Sequence, residues 1–198
     1  MPDSAATWRM FIAIELPLEV RARLEQHVKN LQKLSPDVRA SWARAENLHL
    51  TLKFLGEIPM AKVEALSLAA GAAARASNRF DLVVGDCGAF PTQGQPRVLW
   101  IGVEDQSGKL ARLHQALENE CVQAGFAREM RPFHPHLTIA RLRQPHGSRK
   151  LAQLHKQIGF LSEFFAVSEL VVIRSELSSE GSRYTVSSRH AFGMTPDK

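Results

Sequence analysis

Two stretches of the chain alternate apolar and polar residues in the manner of a half-buried β-strand. The first is residues 47–56, NLHLTLKFLG, and the second lies within residues 131–141, RPFHPHLTIAR. Residues two apart in a strand point to the same face of a sheet. Each run therefore places a histidine and a threonine side by side on one face. Its leucine or isoleucine residues, together with Phe54 in the first run, point to the other face, toward a core.

The same alternation makes predictions for the basic residues that follow each His-x-Thr pair. Lys53 shares the face of His49, which places it near the candidate site, although a solvated position on the sheet is the simpler interpretation. Arg141 has the opposite parity to its histidine, so a regular strand points it away from the site. A bulge after Thr138 would bring Arg141 back to the histidine face.

Periodicity over the rest of the chain predicts four helices and further strands. The helices are expected at about 18–33, 61–77, 110–121 and 151–158. The strands are expected at about 10–16, 38–44, 80–90, 97–103, 164–177 and 184–192, in addition to the two strands that carry the motifs. Residues 178–182, SSEGS, have the composition of a hairpin turn.

The order of these elements, βα-ββα-ββα-βα-ββ, predicts an α+β fold. The His-x-Thr motif recurs after 136 − 49 = 87 residues, which indicates two similar lobes, each with a sheet and outer helices. Residues 1–8 are expected to be a disordered lead, and residues 9–194 a single bilobal domain.

Composition favours a compact cytoplasmic protein with an anionic partner. The 198 residues are 44% hydrophobic and 23% charged, and no apolar run approaches the roughly 20 residues of a membrane span. Residues 1–4 do not resemble a signal peptide. Cys87 and Cys121 are isolated, which favours reduced thiols over a disulfide framework. The net charge of +5 favours a polyanion such as RNA, and no membrane partner is expected.

The two motifs carry groups that are suited to phosphodiester hydrolysis. An imidazole can take or give a proton near neutral pH, so His49 and His136 are candidates for a base and an acid. The hydroxyls of Thr51 and Thr138 are candidates to donate hydrogen bonds to phosphate oxygens as negative charge develops. The alternative is two unrelated strands, each with an ordinary polar face.

No cofactor or catalytic metal is expected from the sequence. His134 and His136 invite a metal, but neither a cysteine nor an acidic cluster adjoins either motif. The sequence contains neither a phosphate-binding Gly-rich loop nor a dinucleotide fingerprint. The remaining histidines are interpreted as surface or packing residues: His27, His114, His146, His155 and His190.

Two further runs extend the motifs into a family resemblance. They are residues 9–17, RMFIAIELP, and residues 96–100, PRVLW. With both His-x-Thr motifs, the chain resembles the 2H phosphoesterases and, among them, the RNA 2′,3′-cyclic phosphodiesterases historically called 2′–5′ RNA ligases. The resemblance runs from about residue 9 to about residue 192. It implies a bilobal, pseudo-two-fold-symmetric fold, with two antiparallel-rich sheets facing each other across an active groove.

The resemblance also implies an activity and roles for site residues. The expected reaction is metal-independent hydrolysis of RNA 2′,3′-cyclic phosphate ends to 2′-phosphates, with weak reversible 2′–5′ ligation. Independently of the resemblance, the chain is expected to be a monomer. His49 would be the proton donor and His136 the proton acceptor, and Arg141 would bind substrate.

Three points remain open at this stage. Phe11 could stack on a base, although core packing also explains it, and the same holds for Trp100 and Tyr184. An RNA-end-binding module without turnover is an alternative to the enzyme. A cyclic phosphodiesterase acting on small nucleotides is another alternative.

Overall fold

The structure is a computed structural model that describes residues 6–178 and 181–193. Two short 3₁₀ turns, Ala45–Asn47 and Met60–Lys62, flank the strand that carries the first motif. In chain order the strands and helices are β1 (Thr7–Glu15), α1 (Leu18–Leu34), β2 (Ala40–Trp42), β3 (His49–Pro59), α2 (Val63–Arg75), β4 (Phe80–Phe90), β5 (Val98–Glu104), α3 (Lys109–Gln123), β6 (His136–Leu142), α4 (Ser148–Ile158), β7 (Glu163–Val167), β8 (Glu169–Ser178) and β9 (Gly181–Ala191).

The strands form two antiparallel sheets, as the predicted α+β class requires. The first sheet has the order β3-β1-β8-β9, and the second has the order β2-β6-β5-β4-β7. The first motif strand, β3, lies at an edge of the first sheet. The second motif strand, β6, lies inside the second sheet between β2 and β5. The fold class predicted from the element order is confirmed.

The two lobes are interlaced along the chain. Helix α2 lies against β8 and β9 and packs on α3, whereas α4 lies against β4 and contacts α1. Helix α1 therefore follows a strand of the first sheet but joins the helix layer of the second. Helix α3 follows a strand of the second sheet but joins the helix layer of the first. Because segments from both halves of the sequence build each lobe, no single boundary in the sequence separates the lobes.

Two predicted boundaries differ from the structure. Thr7 and Trp8 belong to β1 and not to a lead over residues 1–8, because Trp8 pairs with Ile58 and Arg174 stacks over its indole ring at 4.2 Å. Residues 1–5 of that lead lie outside the described residues, as do residues 179–180 of the hairpin turn.

The strand region at 164–177 is also two strands rather than one. Strand β7 pairs with β4 in the second sheet, whereas β8 pairs with β1 and β9 in the first. Only two polar residues, Ser168 and Glu169, separate the apolar residues of the two strands, and alternation alone does not indicate that the chain changes sheets there.

Apolar side chains cover both faces of the first sheet. The main core fills the space between the sheets and their helices. A second, smaller cluster lies on the opposite face of the first sheet and consists of Phe11, Ala13, Val171 and Ile173, with Tyr184 and Val186 packed against it. This apolar cluster lies beneath the side chains of the first motif.

None of the helices in the described part of the chain is both long enough and apolar enough to cross a lipid bilayer.

Candidate active site

Each motif strand contains a β-bulge immediately after its threonine. In β3, Thr51 pairs with Ala13 but Lys53 pairs with Ile12, so Leu52 is an extra residue in the strand. In β6 the pairing with β5 shifts after Thr138 in the same way, and the extra residue is Ile139. A bulge reverses the alternation of side chains beyond it. A β-bulge of the same kind therefore follows both His-x-Thr pairs.

The bulges decide which side chains after the motifs face the groove. Lys53 and its counterpart Ala140 are buried, whereas Phe54 and its counterpart Arg141 are exposed and line the groove. The bulge considered for Arg141 is therefore present. The prediction for Lys53, in contrast, is wrong: it lies neither on the histidine face nor in solvent, because the bulge at Leu52 turns it into the core.

Lys53 forms a buried ion pair that ties β3 to α3. Its Nζ donates to Glu118 Oε1 at 2.7 Å and to the carbonyl of Ala127 at 2.9 Å. Glu118 Oε2 accepts the backbone N–H of Glu129 at 3.1 Å. The two charged side chains are 2% and 4% exposed, so each depends on the other for compensation of its charge.

Both motifs line one groove of about 750 Å³ between the sheets. His49 and Thr51 come from the first sheet, and His136 and Thr138 come from the second. The alternative of two unrelated polar faces is therefore excluded. The groove is basic, since the described residues that line it include four arginines and no carboxylate. These arginines are Arg9, Arg44, Arg141 and Arg143.

Backbone carbonyls orient the two imidazole rings in the same way. His49 Nδ1 lies 2.7 Å from the carbonyl oxygen of Asn47, and His136 Nδ1 lies 2.6 Å from that of His134. A carbonyl only accepts, so each Nδ1 carries a proton and each Nε2 is left to exchange a proton with a ligand. Residue types alone do not predict this arrangement, because a backbone acceptor two residues upstream leaves no signal in the sequence.

His49 lies against an aromatic wall. The Phe11 ring stacks on its imidazole at 4.7 Å, and Tyr184 meets it edge-on at 5.4 Å. Burial lowers the pKa of His49 to about 4; Arg21 lowers it further, whereas the hydrogen bond to the Asn47 carbonyl and the charge of Glu15 oppose the shift.

This wall changes the role expected of Phe11. Phe11 is only 2% exposed, so its ring supports the imidazole instead of offering a surface to a base. Phe54 is the exposed aromatic residue here, 48% accessible with Arg9 stacked over its ring at 4.8 Å. The unbroken alternation assumed in the sequence analysis placed Phe54 in the core.

His136 has a different neighbour. The Phe90 ring meets its imidazole edge-on at 5.2 Å, and Phe90 in turn contacts Trp100 at 5.3 Å. The Trp100 ring lies across Gly88, where a Cβ atom would come within 2.1 Å of the indole. Trp100 therefore serves as a support behind the second motif, in the role that Phe11 has behind the first.

Among the residues that the structure describes, neither groove histidine belongs to a group of three metal-binding side chains. Within residues 6–178 and 181–193, one such group is close enough to share an ion, and it consists of His27, Cys87 and His155. Both of these histidines are buried and hydrogen-bonded to each other at 2.9 Å. Their interpretation as packing residues is confirmed, although the sequence alone does not indicate that the two histidines lie together.

Two facing antiparallel sheets, each presenting a His-x-Thr strand to a basic groove, define a two-histidine phosphoesterase fold. The sequence profile of the 2′-5′ RNA ligase superfamily matches residues 17–178. The chain belongs to that superfamily.

Named relatives and solved structures agree with this assignment. The chain is 34% identical to the RNA 2′,3′-cyclic phosphodiesterase of Methanothermobacter thermautotrophicus, over 89% of this chain and 95% of that protein. It is 33% identical to the Escherichia coli protein of the same name, over 92% and 96% of the two chains. The crystal structure of E. coli LigT with 3′-AMP superposes with a TM-score of 0.71 at 29% identity, covering 96% of this chain and all of that one. A Thermus thermophilus protein of solved structure gives a TM-score of 0.77 at 28% identity, with 94% and 100% covered.

Proposed function

We propose that this chain hydrolyses 2′,3′-cyclic phosphodiesters at the ends of RNA to 2′-phosphomonoesters, without a metal at the reacting phosphate. The observation that carries the proposal is the matched pair of carbonyl-oriented imidazoles, His49 and His136, on opposite walls of one basic groove. Relatives that match nine-tenths of the chain have the name of this activity.

The reaction needs a proton acceptor on one side of phosphorus and a proton donor on the other. His136, neutral, takes a proton from water at Nε2 as the water oxygen bonds to phosphorus. The bond from phosphorus to the 3′-oxygen breaks, and His49, protonated, donates from Nε2 to that oxygen. The product carries a 2′-phosphate and a 3′-hydroxyl. Exchange of one proton with solvent at each ring restores the starting state.

The surroundings of His49 set the condition under which it can act as the donor. Burial lowers its pKa to about 4, so the ring must gain a proton before it can give one to the leaving oxygen. In the free protein the ring is neutral at pH 7. An anionic phosphodiester bound beside the ring favours its charged form, so the acid is assembled when substrate binds.

The other groove residues have roles that follow from their chemistry. The Thr51 and Thr138 hydroxyls donate to the non-bridging oxygens, where negative charge grows in the transition state. Arg141, turned toward the groove by the bulge at Ile139, pairs with phosphate. The further arginines and the exposed Phe54 ring suit a strand of several nucleotides, with phosphates on cations and a base on an aromatic face.

Weak 2′–5′ ligation is part of the same proposal. If the 5′-hydroxyl of a second RNA takes the place of water, its oxygen bonds to phosphorus as the 3′-oxygen leaves. The product is a 2′–5′ phosphodiester, and the strain of the cyclic ester replaces ATP as the driving force. Ligation therefore requires a 5′-hydroxyl and fails with a 5′-phosphate.

The proposal is tested with a short RNA that ends in a 2′,3′-cyclic phosphate, in the presence of EDTA. Products are resolved as 2′- or 3′-phosphate, and the same RNA with a 3′-hydroxyl end serves as the inert control. We expect many turnovers and only the 2′-phosphate. Stoichiometric binding without turnover would make the chain an RNA-end-binding protein and would overturn the proposal. Turnover confined to cyclic mononucleotides would contradict RNA as the substrate.

A further inference from the structure

A cluster of three potential metal ligands is buried in the second lobe. His27 belongs to α1, Cys87 to β4 and His155 to α4, and their donor atoms all lie within 4.8 Å of one another. The residues are 8%, 4% and 0% exposed. Two imidazoles and a thiol are an unusual choice for a core position that apolar side chains fill more readily, because each carries a polar atom that needs a partner.

The cluster lies on the opposite face of the second sheet from the groove. Cys87 pairs with Ile101, which pairs with Leu137, and this row faces the buried side. The next row carries Trp100 and Thr138. Thr138 lines the groove, and Trp100 contacts Phe90, which in turn contacts His136. The proposed hydrolysis therefore does not use the three clustered side chains.

The protein already orients one imidazole as metal sites do. His155 Nε2 lies 2.9 Å from the carbonyl oxygen of Trp100, so this nitrogen carries the proton. The lone pair of His155 Nδ1 then points toward His27 Nε2, which lies 2.9 Å away. A backbone carbonyl that fixes the tautomer of a ligating histidine is a regular feature of metal sites.

We propose that His27 Nε2, His155 Nδ1 and Cys87 Sγ form a binding site for one Zn²⁺ or a similar divalent transition metal ion. Nitrogen and sulfur donors suit these borderline ions. In a tetrahedral site such donors lie about 3.3–3.6 Å apart. The two rings would separate by a few tenths of an ångström, and the thiol would approach by at most about 1.2 Å.

The protonation states of the three side chains are compatible with loading of the site. Burial, with His155 as a lesser cause, lowers the pKa of His27 to about 4, so this imidazole is neutral and carries its single proton on Nε2, toward His155. Burial, with Asp86 as a lesser cause, raises the pKa of the Cys87 thiol to about 12. The incoming ion displaces the thiol proton to solvent, and the His27 proton moves from Nε2 to Nδ1.

An open pocket beside β4 provides access. Cys87 and Asp86 line this pocket of about 470 Å³, which opens between β4 and α4. An ion can enter from there, and water can occupy its fourth coordination position. Since the three ligands belong to α1, β4 and α4, the ion would fasten both helices to the sheet. Its function is therefore structural, and it is independent of the proposed hydrolysis.

The test is titration of the metal-depleted, folded protein with Co²⁺, followed by competition with Zn²⁺. A thiolate bound to Co²⁺ gives a near-ultraviolet charge-transfer band, which the groove histidines cannot produce. The chain offers a matched control, because Cys121 is a second buried cysteine, located on α3 over the first sheet. The variants are Cys87→Ser, Cys121→Ser and His27→Gln, each checked for folding by circular dichroism.

We expect one Co²⁺ per chain, with the band present in the wild type and in Cys121→Ser but lost in Cys87→Ser. His27→Gln should weaken binding by more than about tenfold. Zn²⁺ should displace Co²⁺ and raise the Tm of the wild type but not that of Cys87→Ser. Absence of saturable binding in the wild type would overturn the proposal, as would a band that survives Cys87→Ser or a wild-type affinity in His27→Gln. Hydrolysis by the groove does not depend on any of these results.

Discussion

The two motif strands share one backbone conformation, but different side chains surround it. β3 and β6 each present histidine and threonine to the groove, orient the imidazole with a carbonyl two residues upstream, and bulge directly after the threonine. Around His49, however, Phe11 and Tyr184 form an aromatic wall. His136 has the edge of Phe90.

The positions beyond the bulges diverge in the same way. The first strand has buried Lys53 where the second has Ala140, and exposed Phe54 where the second has Arg141. The shared features position the two imidazoles, and in the proposed mechanism their different neighbours distinguish the acid from the base. A symmetric pair of motifs can in this way provide an acid on one side and a base on the other.

The largest expected effect is the loss of either imidazole. We expect His49→Ala and His136→Ala each to lower kcat by about 10²–10⁴-fold on cyclic-phosphate RNA, since each removes one proton transfer. His134→Ala is the matched control, because its exposed side chain adjoins the motif while only its backbone carbonyl is used. The double variant should lose little more than the slower single variant. A histidine variant that retains wild-type kcat would remove that residue from the mechanism.

The next largest effect concerns the stability of the protein, because Lys53 carries a buried charge and its counterpart Ala140 does not. Lys53→Met leaves the Glu118 charge buried without its partner, and it should lower the free energy of unfolding by about 3–5 kcal/mol. Adding Glu118→Gln should restore much of this loss, because no unpaired charge remains. Urea unfolding measures both variants. Since Lys53 faces away from the groove, kcat per folded molecule should stay near that of the wild type; a large fall in kcat would place Lys53 in the site.

Substitution of the two threonines tests whether both walls of the groove bind the phosphate. Thr51→Val and Thr138→Val keep the β-branched shape but lose the hydroxyl, and each should lower kcat by roughly 10- to 10³-fold. Thr→Ser at the same positions keeps the donor and should retain most activity. Measured kcat near the wild-type value in both valine variants would make the threonines structural.

A smaller effect follows from the wall around His49. Because burial lowers its folded pKa to about 4 from 6.5, the unfolded chain takes up the proton first as pH falls. The contribution of neutral His49 to the free energy of unfolding is fully present above pH 6.5 and is lost as pH falls toward 4. Between about pH 7.5 and 5 this loss amounts to about 2 kcal/mol.

The measurement is urea unfolding at both pH values for the wild type and for His49→Gln. The variant should lack this part of the acid sensitivity. An equal loss of stability in the two proteins would show that the wall does not hold His49 neutral.

Much of the fold and the four motif residues could be predicted from the sequence, because both depend on local alternation. Polar and apolar residues two apart predicted the strands, and repetition of His-x-Thr predicted two walls of one site. The neighbours of the motifs could not be predicted in the same way. A bulge reverses the faces to which the following side chains point, so unbroken alternation assigned Lys53 and Phe54 to the wrong faces.

Long-range pairing limits the sequence analysis in a second way. His27 and His155 lie far apart in sequence, and they meet only because α1 crosses to the helix layer of the other lobe. The strand region at 164–177 changes sheets at the polar pair Ser168 and Glu169, and such a short pair does not by itself indicate a change of sheet. Neither event follows from residue types near the positions concerned.

The division of labour between His49 and His136 is tested most directly with a leaving group that needs no proton. The substrate is a nucleoside p-nitrophenyl phosphodiester, and the rate of p-nitrophenol release is compared with hydrolysis of the cyclic phosphate. On the p-nitrophenyl ester, His49→Ala should recover much of its lost rate, whereas His136→Ala should remain slow because water still needs a base. Recovery by His136→Ala alone would exchange the two roles. Equal recovery by both variants would contradict the account, since the histidines would then act only as phosphate-binding charges.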